Sequence, residues 1–165
     1  MHLKDISFII PVYNRPDEIY ELLKSFSELD GDKEFEIVIV EDGSKQKCEY
    51  IIENFNNLNI AYFFKKNSGP GDSRNFGMNV AKGKYFIILD SDIILPPDYN
   101  KILIKNLTKN FSDCFGGVDD SHHSFNYFQK AVSYSMTSFI TTGHIRGGNK
   151  SKDFQPRSFN MGISK

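Results

Sequence analysis

Cysteine is scarce in this 165-residue chain: Cys48 and Cys114 are the two, set in unlike contexts and without a CxxC pair. That argues against a disulfide scaffold or a cysteine-bound zinc, and it fits a reducing compartment. Charge of one sign is lacking too, because 20 Lys+Arg stand against 21 Asp+Glu for a formal net charge of -1. No global field therefore draws the chain to nucleic acid or anionic lipid. Long hydrophobic runs are absent: the first, Ile6 to Val12, gives way at Asn14 and Arg15, too short for a signal-peptide core or a membrane span. There is no internal repeat and no low-complexity tract. The expectation is a cytoplasmic protein. What is present suffices for a core, with 39% hydrophobic and 14% aromatic residues at a length that suggests one domain.

Short apolar runs alternate with amphipathic ones. Ile6 to Val12 is almost continuously apolar, as in a parallel strand covered on both faces, and it ends in Tyr13-Asn14-Arg15-Pro16. Pro16 suits a first helical turn, and Ile19, Leu22, Leu23 and Phe26 then fall on one helical face. Phe35 to Val40 predicts a second strand, running into Glu41-Asp42-Gly43-Ser44, and Ile51, Ile52 and Phe55 predict a second helix. Ile60 to Phe64 predicts a third strand, followed by the turn-rich Asn67-Ser68-Gly69-Pro70-Gly71 and a helix carrying Phe76, Val80 and Ala81. Tyr85 to Leu89 predicts a fourth, stopping at Asp90-Ser91-Asp92, before a helix marked by Tyr99, Ile102, Leu103 and Leu107. Such alternation implies an open, mostly parallel α/β sheet. After about Phe115 the pattern loosens. Gly116 to His123 reads as a loop, Phe125 to Ile140 as helix or strand, Thr141 to Asp153 as an exposed loop, and Ser158 to Ile163 as a short strand.

Open α/β sheets bind ligands at the carboxyl ends of their strands, where loops converge and helix N-termini present free N–H groups. Asn14, Asp42 and the Asp90/Asp92 pair each follow an apolar strand, so three loops could bring polar groups to one rim. Each taken singly could instead be a turn or helix-cap residue. Asp90-Ser91-Asp92 is the sharpest feature, because two carboxylates at a strand end can hold Mg²⁺ or Mn²⁺ and leave positions for water and phosphate oxygens. A cation there would neutralise charge on a diphosphate leaving group. Asp42 could accept a hydrogen bond from a nucleobase N–H and Tyr13 could stack on that base; an Asp-Gly turn and a core tyrosine are the plainer alternatives. Arg74, one of four arginines against sixteen lysines, could fix a base carbonyl or a phosphate, or form a surface ion pair with Asp72 or another acid. His122, His123 and His144 lack zinc-site neighbours and read as loop residues, and Lys65-Lys66 as a solvated strand end.

Four blocks in register, Ile10-Pro11-Val12-Tyr13-Asn14, Val40-Glu41-Asp42-Gly43-Ser44, Asn67 to Tyr85, and Leu89-Asp90-Ser91-Asp92, resemble the nucleotide-sugar-dependent glycosyltransferases of family 2. The resemblance implies the GT-A fold, a Rossmann-like three-layer α/β/α arrangement with a mostly parallel central sheet. It covers roughly the first hundred residues and loosens beyond Pro97, where Phe159 to Ile163 is similar to the segment leading into the acceptor half. Carried over by position, it implies that Pro11, Tyr13, Asp42 and Arg74 line the nucleotide pocket, usually for uracil, with Asn14 and Asn67 in the same wall. Asp90 would face the ribose and metal-bound water, Ser91 lies in the same nucleotide-binding loop, and Asp92 would ligate Mn²⁺ or Mg²⁺. Glu41 departs from the commoner Asp-Asp pair.

The resemblance further implies inverting transfer from a UDP-sugar to a glycan, lipid-linked or polysaccharide acceptor, in a bacterial cell-envelope setting. Inversion needs a carboxylate base, and the family's lies beyond the position of Lys165; Asp119, Asp120 and Asp153 lack its context. Residues 1–115 are therefore expected to be the donor-binding half and 116–165 the start of an incomplete acceptor-side region. The longer protein could work at the inner face of a membrane, and uncovered Phe and Tyr could drive self-association. Two other readings stand beside this one. The chain could be a nucleotide-binding module without transfer activity. It could be a sugar nucleotidyltransferase, but that would need a glycine-rich loop after the first strand, and Tyr13-Asn14-Arg15-Pro16 has no glycine.

Overall fold

The computed structural model describes residues 1–117, 126–137 and 160–165. In chain order these carry β1 (Ile6–Val12), α1 (Pro16–Ser27), β2 (Glu36–Asp42), α2 (Glu49–Ile52), β3 (Ile60–Lys65), α3 (Pro70–Val80), β4 (Tyr85–Leu89), α4 (Tyr99–Lys109), β5 (Cys114–Gly116), α5 (Tyr127–Thr137) and β6 (Asn160–Ser164). The strands form one sheet in the order β3-β2-β1-β4-β6-β5. β1 to β4 are mutually parallel, and β6 runs antiparallel to both β4 and β5. The sheet thus takes strands from both sides of residue 115.

Continuous apolar strands are what a sheet covered on both faces requires, and the alternation sorts their side chains into two cores. Phe8, Ile10, Ile37, Ile39, Ile87 and Leu89 join Leu22, Ile51 and Leu103 on the face covered by α1, α2 and α4. Ile9, Val38, Val40, Phe86 and Ile88 meet Phe76, Met78 and Val80 of α3 on the other. This is the three-layer, mostly parallel architecture the sequence implies. Phe8 is the hub of the larger core, with Phe26 and Phe35 edge-on to its ring at 4.9 and 5.1 Å between centroids. On the opposite face α3 approaches closely because residue 77 is glycine: a Cβ there would lie 2.5 Å from Ile9 Cγ2. At the amino end of the sheet, Ser7 Oγ donates to Glu36 Oε2 at 2.6 Å and accepts from the Gly83 amide at 2.9 Å, anchoring the turn into β4.

Three local expectations change. The second helix ends at Ile52, short of Phe55. Asn54 donates its side-chain N–H to the Ile51 carbonyl, and successive turns close at Phe55 and Leu58, so Phe55 reaches the core from a turn. A three-residue strand, β5, occupies Cys114–Gly116, where the pattern merely loosened. Tyr127–Thr137 is helical, which resolves the helix-or-strand ambiguity for that part. The loop readings over Val118–His123 and Thr141–Asp153 lie outside the described residues.

Phe8→Ala removes the ring shared by Phe26 and Phe35. It is expected to lower unfolding free energy by about 3–5 kcal/mol, read from urea unfolding. A loss below roughly 1 kcal/mol would place the core elsewhere.

Candidate functional site

The winding of the sheet reverses at β1. The connection leaving β1 passes through α1 to β2, whereas β4 arrives on the other side of β1, so the loops after β1 and β4 diverge and leave a crevice at their carboxyl ends. A cleft of about 580 Å³ lies there. It brings together Pro11, Tyr13, Asp42, Asn67, Arg74 and the whole Asp90-Ser91-Asp92 loop. Tyr13, 51% exposed, is not a core tyrosine and lies in the cleft lining.

Asp42 ends β2 on the α3 side of the sheet and is buried. Its Oδ1 accepts from Lys65 Nζ at 2.5 Å and from the Ser68 amide at 3.0 Å, and its Oδ2 accepts from the Gly69 amide at 2.8 Å. Burial opposes the charge, but Lys65 and the two amides outweigh it and hold the carboxyl below its ordinary value. Oδ2 keeps a free lone pair for a further donor. Asn67 donates its side-chain N–H to the Asp42 carbonyl at 2.8 Å. The two loops touch at Gly43, whose φ of +73° and whose missing Cβ, 2.7 Å from the Asn67 nitrogen, admit glycine alone. Lys65 is not the solvated strand end its sequence suggests: its ammonium sits between Asp42 and Asp72, with 13% of the side chain exposed.

Glu41, one residue earlier, points to the opposite face, where its Oε2 accepts from the Cys48 amide at 3.0 Å and from the Tyr62 hydroxyl. Burial and Glu41 together push the Cys48 thiol up to about 12. Cys48 is therefore an inert core residue, and neither it nor the exposed Cys114 forms a disulfide. The longer acid at position 41 ties down the β2–α2 loop rather than reaching the cleft.

Arg74, on α3, donates from Nη2 to Asp90 Oδ1 at 2.7 Å, closing the cleft between α3 and β4. Its Nε–H is buried without a partner among the described residues. Asp92 forms no ion pair among the described residues. Desolvation, the charge of Asp90 and that of Glu18 push its carboxyl above the ordinary value, while Arg15 acts in the opposite direction. Uncompensated acid of this kind suits a hard cation. Among the described residues no group of three or more His, Cys, Asp or Glu is arranged to hold a metal ion; a cation on Asp90 and Asp92 would need ligand and water oxygens for the rest of its shell.

Asn14, expected in the nucleotide wall, lies off the cleft lining. It adopts φ +54°, and its Oδ1 accepts from the amides of Lys45 at 2.7 Å and Gln46 at 3.2 Å, pinning the β1–α1 loop to the loop after β2. His122, His123, His144, Asp119, Asp120 and Asp153 lie outside the described residues. The sequence reading missed Glu18. This acid in the first turn of α1 lines the cleft, accepting from Ser91 Oγ at 2.7 Å and from Arg15 Nη1 at 2.7 Å. The Arg15/Glu18 spacing of three was the available signal.

The model of the family described as Glycosyl transferase family 2 matches residues 7–161. An uncharacterized glycosyltransferase of Rickettsia conorii is 41% identical over 141 residues, which cover 85% of this chain and 22% of that protein. The poly(ribitol-phosphate) beta-N-acetylglucosaminyltransferase TarS of Staphylococcus aureus is 34% identical over 123 residues, covering 72% of this chain and 19% of TarS. The crystal structure of TarS 1–349 in complex with UDP-GlcNAc is similar with a TM-score of 0.67 at 31% identity, over 74% of this chain and 36% of that one. The chain spans about a fifth of the length of these two curated relatives.

The Asp42–Lys65 pair predicts a pH dependence. Because Asp42 is held low, its contribution to stability is complete above about pH 4 and fades as pH falls through its lowered folded-state value. Lys65 is held high against the effect of burial by Asp42 and Asp72, so its share is complete below roughly pH 10 and fades as pH rises through its higher value. Asp42→Asn is expected to cost about 1–2 kcal/mol at neutral pH, discounted for solvent reaching the cleft, and to flatten the acid limb of stability. Urea unfolding across a pH series measures both; an unchanged acid limb would contradict the pairing.

Proposed function

The chain belongs to glycosyl transferase family 2 and has the GT-A fold, and from that premise we propose that it binds a UDP-sugar with Mn²⁺ or Mg²⁺ as the donor domain of an inverting enzyme. The acceptor is a glycan, a lipid-linked sugar or a polysaccharide of the bacterial cell envelope. The observation that carries the reading is the convergence of Tyr13, Asp42, Arg74 and Asp90-Ser91-Asp92 on one cleft at the reversal of the sheet. The likeness to TarS crystallised with UDP-GlcNAc supports the choice of a UDP-sugar.

Each residue then has a task. Tyr13 stacks on the base, and the open lone pair on Asp42 Oδ2 accepts from the base N–H. The orphaned Arg74 Nε–H gains an acceptor from the nucleotide, while the Asp90 ion pair keeps its guanidinium in place. Asp90 faces the ribose, and Asp92 with Asp90 would hold the cation. When bound, the cation supplies Lewis-acid stabilisation of the leaving diphosphate. The acceptor hydroxyl attacks the anomeric carbon from the face opposite the departing UDP, the bond to the diphosphate breaks, and a carboxylate base takes the hydroxyl proton. No base is assigned among the described residues.

Calorimetric titration with UDP, GDP and ADP, each with and without Mn²⁺, tests the reading without turnover. Saturable binding of UDP alone, strengthened by Mn²⁺, is the expected result. Binding of none of the three, or equal binding of all, would contradict it. Asp92→Ala is expected to abolish the Mn²⁺ effect and leave the unfolding transition unchanged; a retained Mn²⁺ effect would remove Asp92 from the cation site.

A further inference from the structure

Ser91 stands between the two aspartates, and its hydroxyl donates outside its own loop, to Glu18 Oε2 at 2.7 Å. The other oxygen of Glu18 accepts from Arg15 Nη1 at 2.7 Å. Arg15 ends the loop after β1, and Glu18 lies in the first turn of α1, where a carboxylate is favoured by the helix dipole and by its spacing from Arg15. Arg15, Glu18 and Ser91 therefore form a chain of hydrogen bonds across the crevice, from the β1 side to the β4 side. All three line the cleft. Among the described residues, Arg74–Asp90 is the other side-chain bond to this loop, and it holds the loop from α3, on the opposite face of the sheet.

Resting on the donor-site reading above, we propose that Glu18 is a positioning residue for the Asp-Ser-Asp loop: it fixes Ser91, and through it the separation and orientation of Asp90 and Asp92, without itself touching donor or cation. A loop that follows a strand end has few backbone bonds of its own, and two carboxylates side by side repel each other. A charge-assisted hydrogen bond from a side chain on a rigid helix resists that spreading, and the Arg15 guanidinium offsets the charge that Glu18 adds. The bridge acts on the geometry of the cation site and not on the base pocket, because Asp42 and Asn67 are held by other contacts.

The test is UDP titration of the chain with and without Mn²⁺, for wild type, Glu18→Ala, Glu18→Gln, Ser91→Ala and the Glu18→Ala/Ser91→Ala pair, with thermal unfolding of each. Glu18→Ala and Ser91→Ala are each expected to weaken UDP binding in Mn²⁺ by about tenfold, with the double variant no weaker than either single one. For Glu18→Ala, binding without Mn²⁺ is expected to stay unchanged. Glu18→Gln, which keeps an acceptor oxygen for Ser91, is expected to recover most of the affinity, a rescue that a contribution from the charge alone would not give. Wild-type-like Mn²⁺-dependent binding by Glu18→Ala overturns the positioning role and leaves the donor site standing. Full additivity in the double variant, or equal loss with and without Mn²⁺ in Glu18→Ala, also overturns it. Absence of any Mn²⁺-dependent UDP binding by the wild type overturns the donor-site reading and this proposal together.

Discussion

β1 is hydrogen-bonded along both edges, to β2 on one side and to β4 on the other, and all three strands point the same way. In that pairing the chain leaves β1 in one direction and returns to its other side only after β2 and β3, so the loops at the carboxyl ends part above β1. The cleft, the placement of Tyr13 and Arg15 on one lip and of Asp90 to Asp92 on the other, and the entry of α3 from a third side all follow from this one constraint. The continuous apolar character of Ile6 to Val12 and Tyr85 to Leu89 makes it possible, since a strand with two neighbours and two covered faces has no room for a polar side chain without a partner. Ser7, in the middle of that requirement, is admitted because Glu36 and the Gly83 amide satisfy its hydroxyl.

The same loops distribute charge unevenly. Around Asp42 every acid is matched: Lys65 lies between Asp42 and Asp72, and the amides of Ser68 and Gly69 at the start of α3 complete the carboxylate. Around Asp92 the balance fails, with Asp90 and Glu18 close by and their cationic partners, Arg74 and Arg15, already engaged. One end of the cleft is thus a finished network, suited to a rigid wall against a planar ligand. The other is an incomplete one, suited to a cation arriving with its own oxygens.

The sequence discloses what depends on runs of residues and hides what depends on register between distant segments. β1 to β4 are legible because each is a short apolar run ending in a turn signal, and Asp42, Asp90 and Asp92 because they follow those runs directly. Asn14 was equally visible, but nothing local tells an Asn that turns toward a ligand from one that caps the loop after β2, as this one does. β5 is three residues long and exists through its pairing with β6, more than forty residues away. The second helix looked longer because Phe55 keeps helical spacing from Ile51 and Ile52, while Asn54 and the asparagines after it favour turns over helix. Glu18 carries no signal beyond its spacing from Arg15, and Lys65 reads as a solvated strand end; only the meeting of α1 with the β4 loop, and of β3 with β2, brings Ser91 to the one and Asp42 to the other. The family resemblance supplied the roles of site residues, and the geometry shows which of them the fold gathers.

A co-crystal of the chain with UDP and Mn²⁺, with anomalous diffraction recorded at the manganese edge, tests most directly the claim that this crevice is a cation-dependent donor site. The expected result is a single strong anomalous peak within coordination distance of the Asp92 carboxylate, with the uracil between Tyr13 and Asp42. Manganese bound away from Asp90 and Asp92, or UDP in the cleft with no metal beside its phosphates, would contradict it.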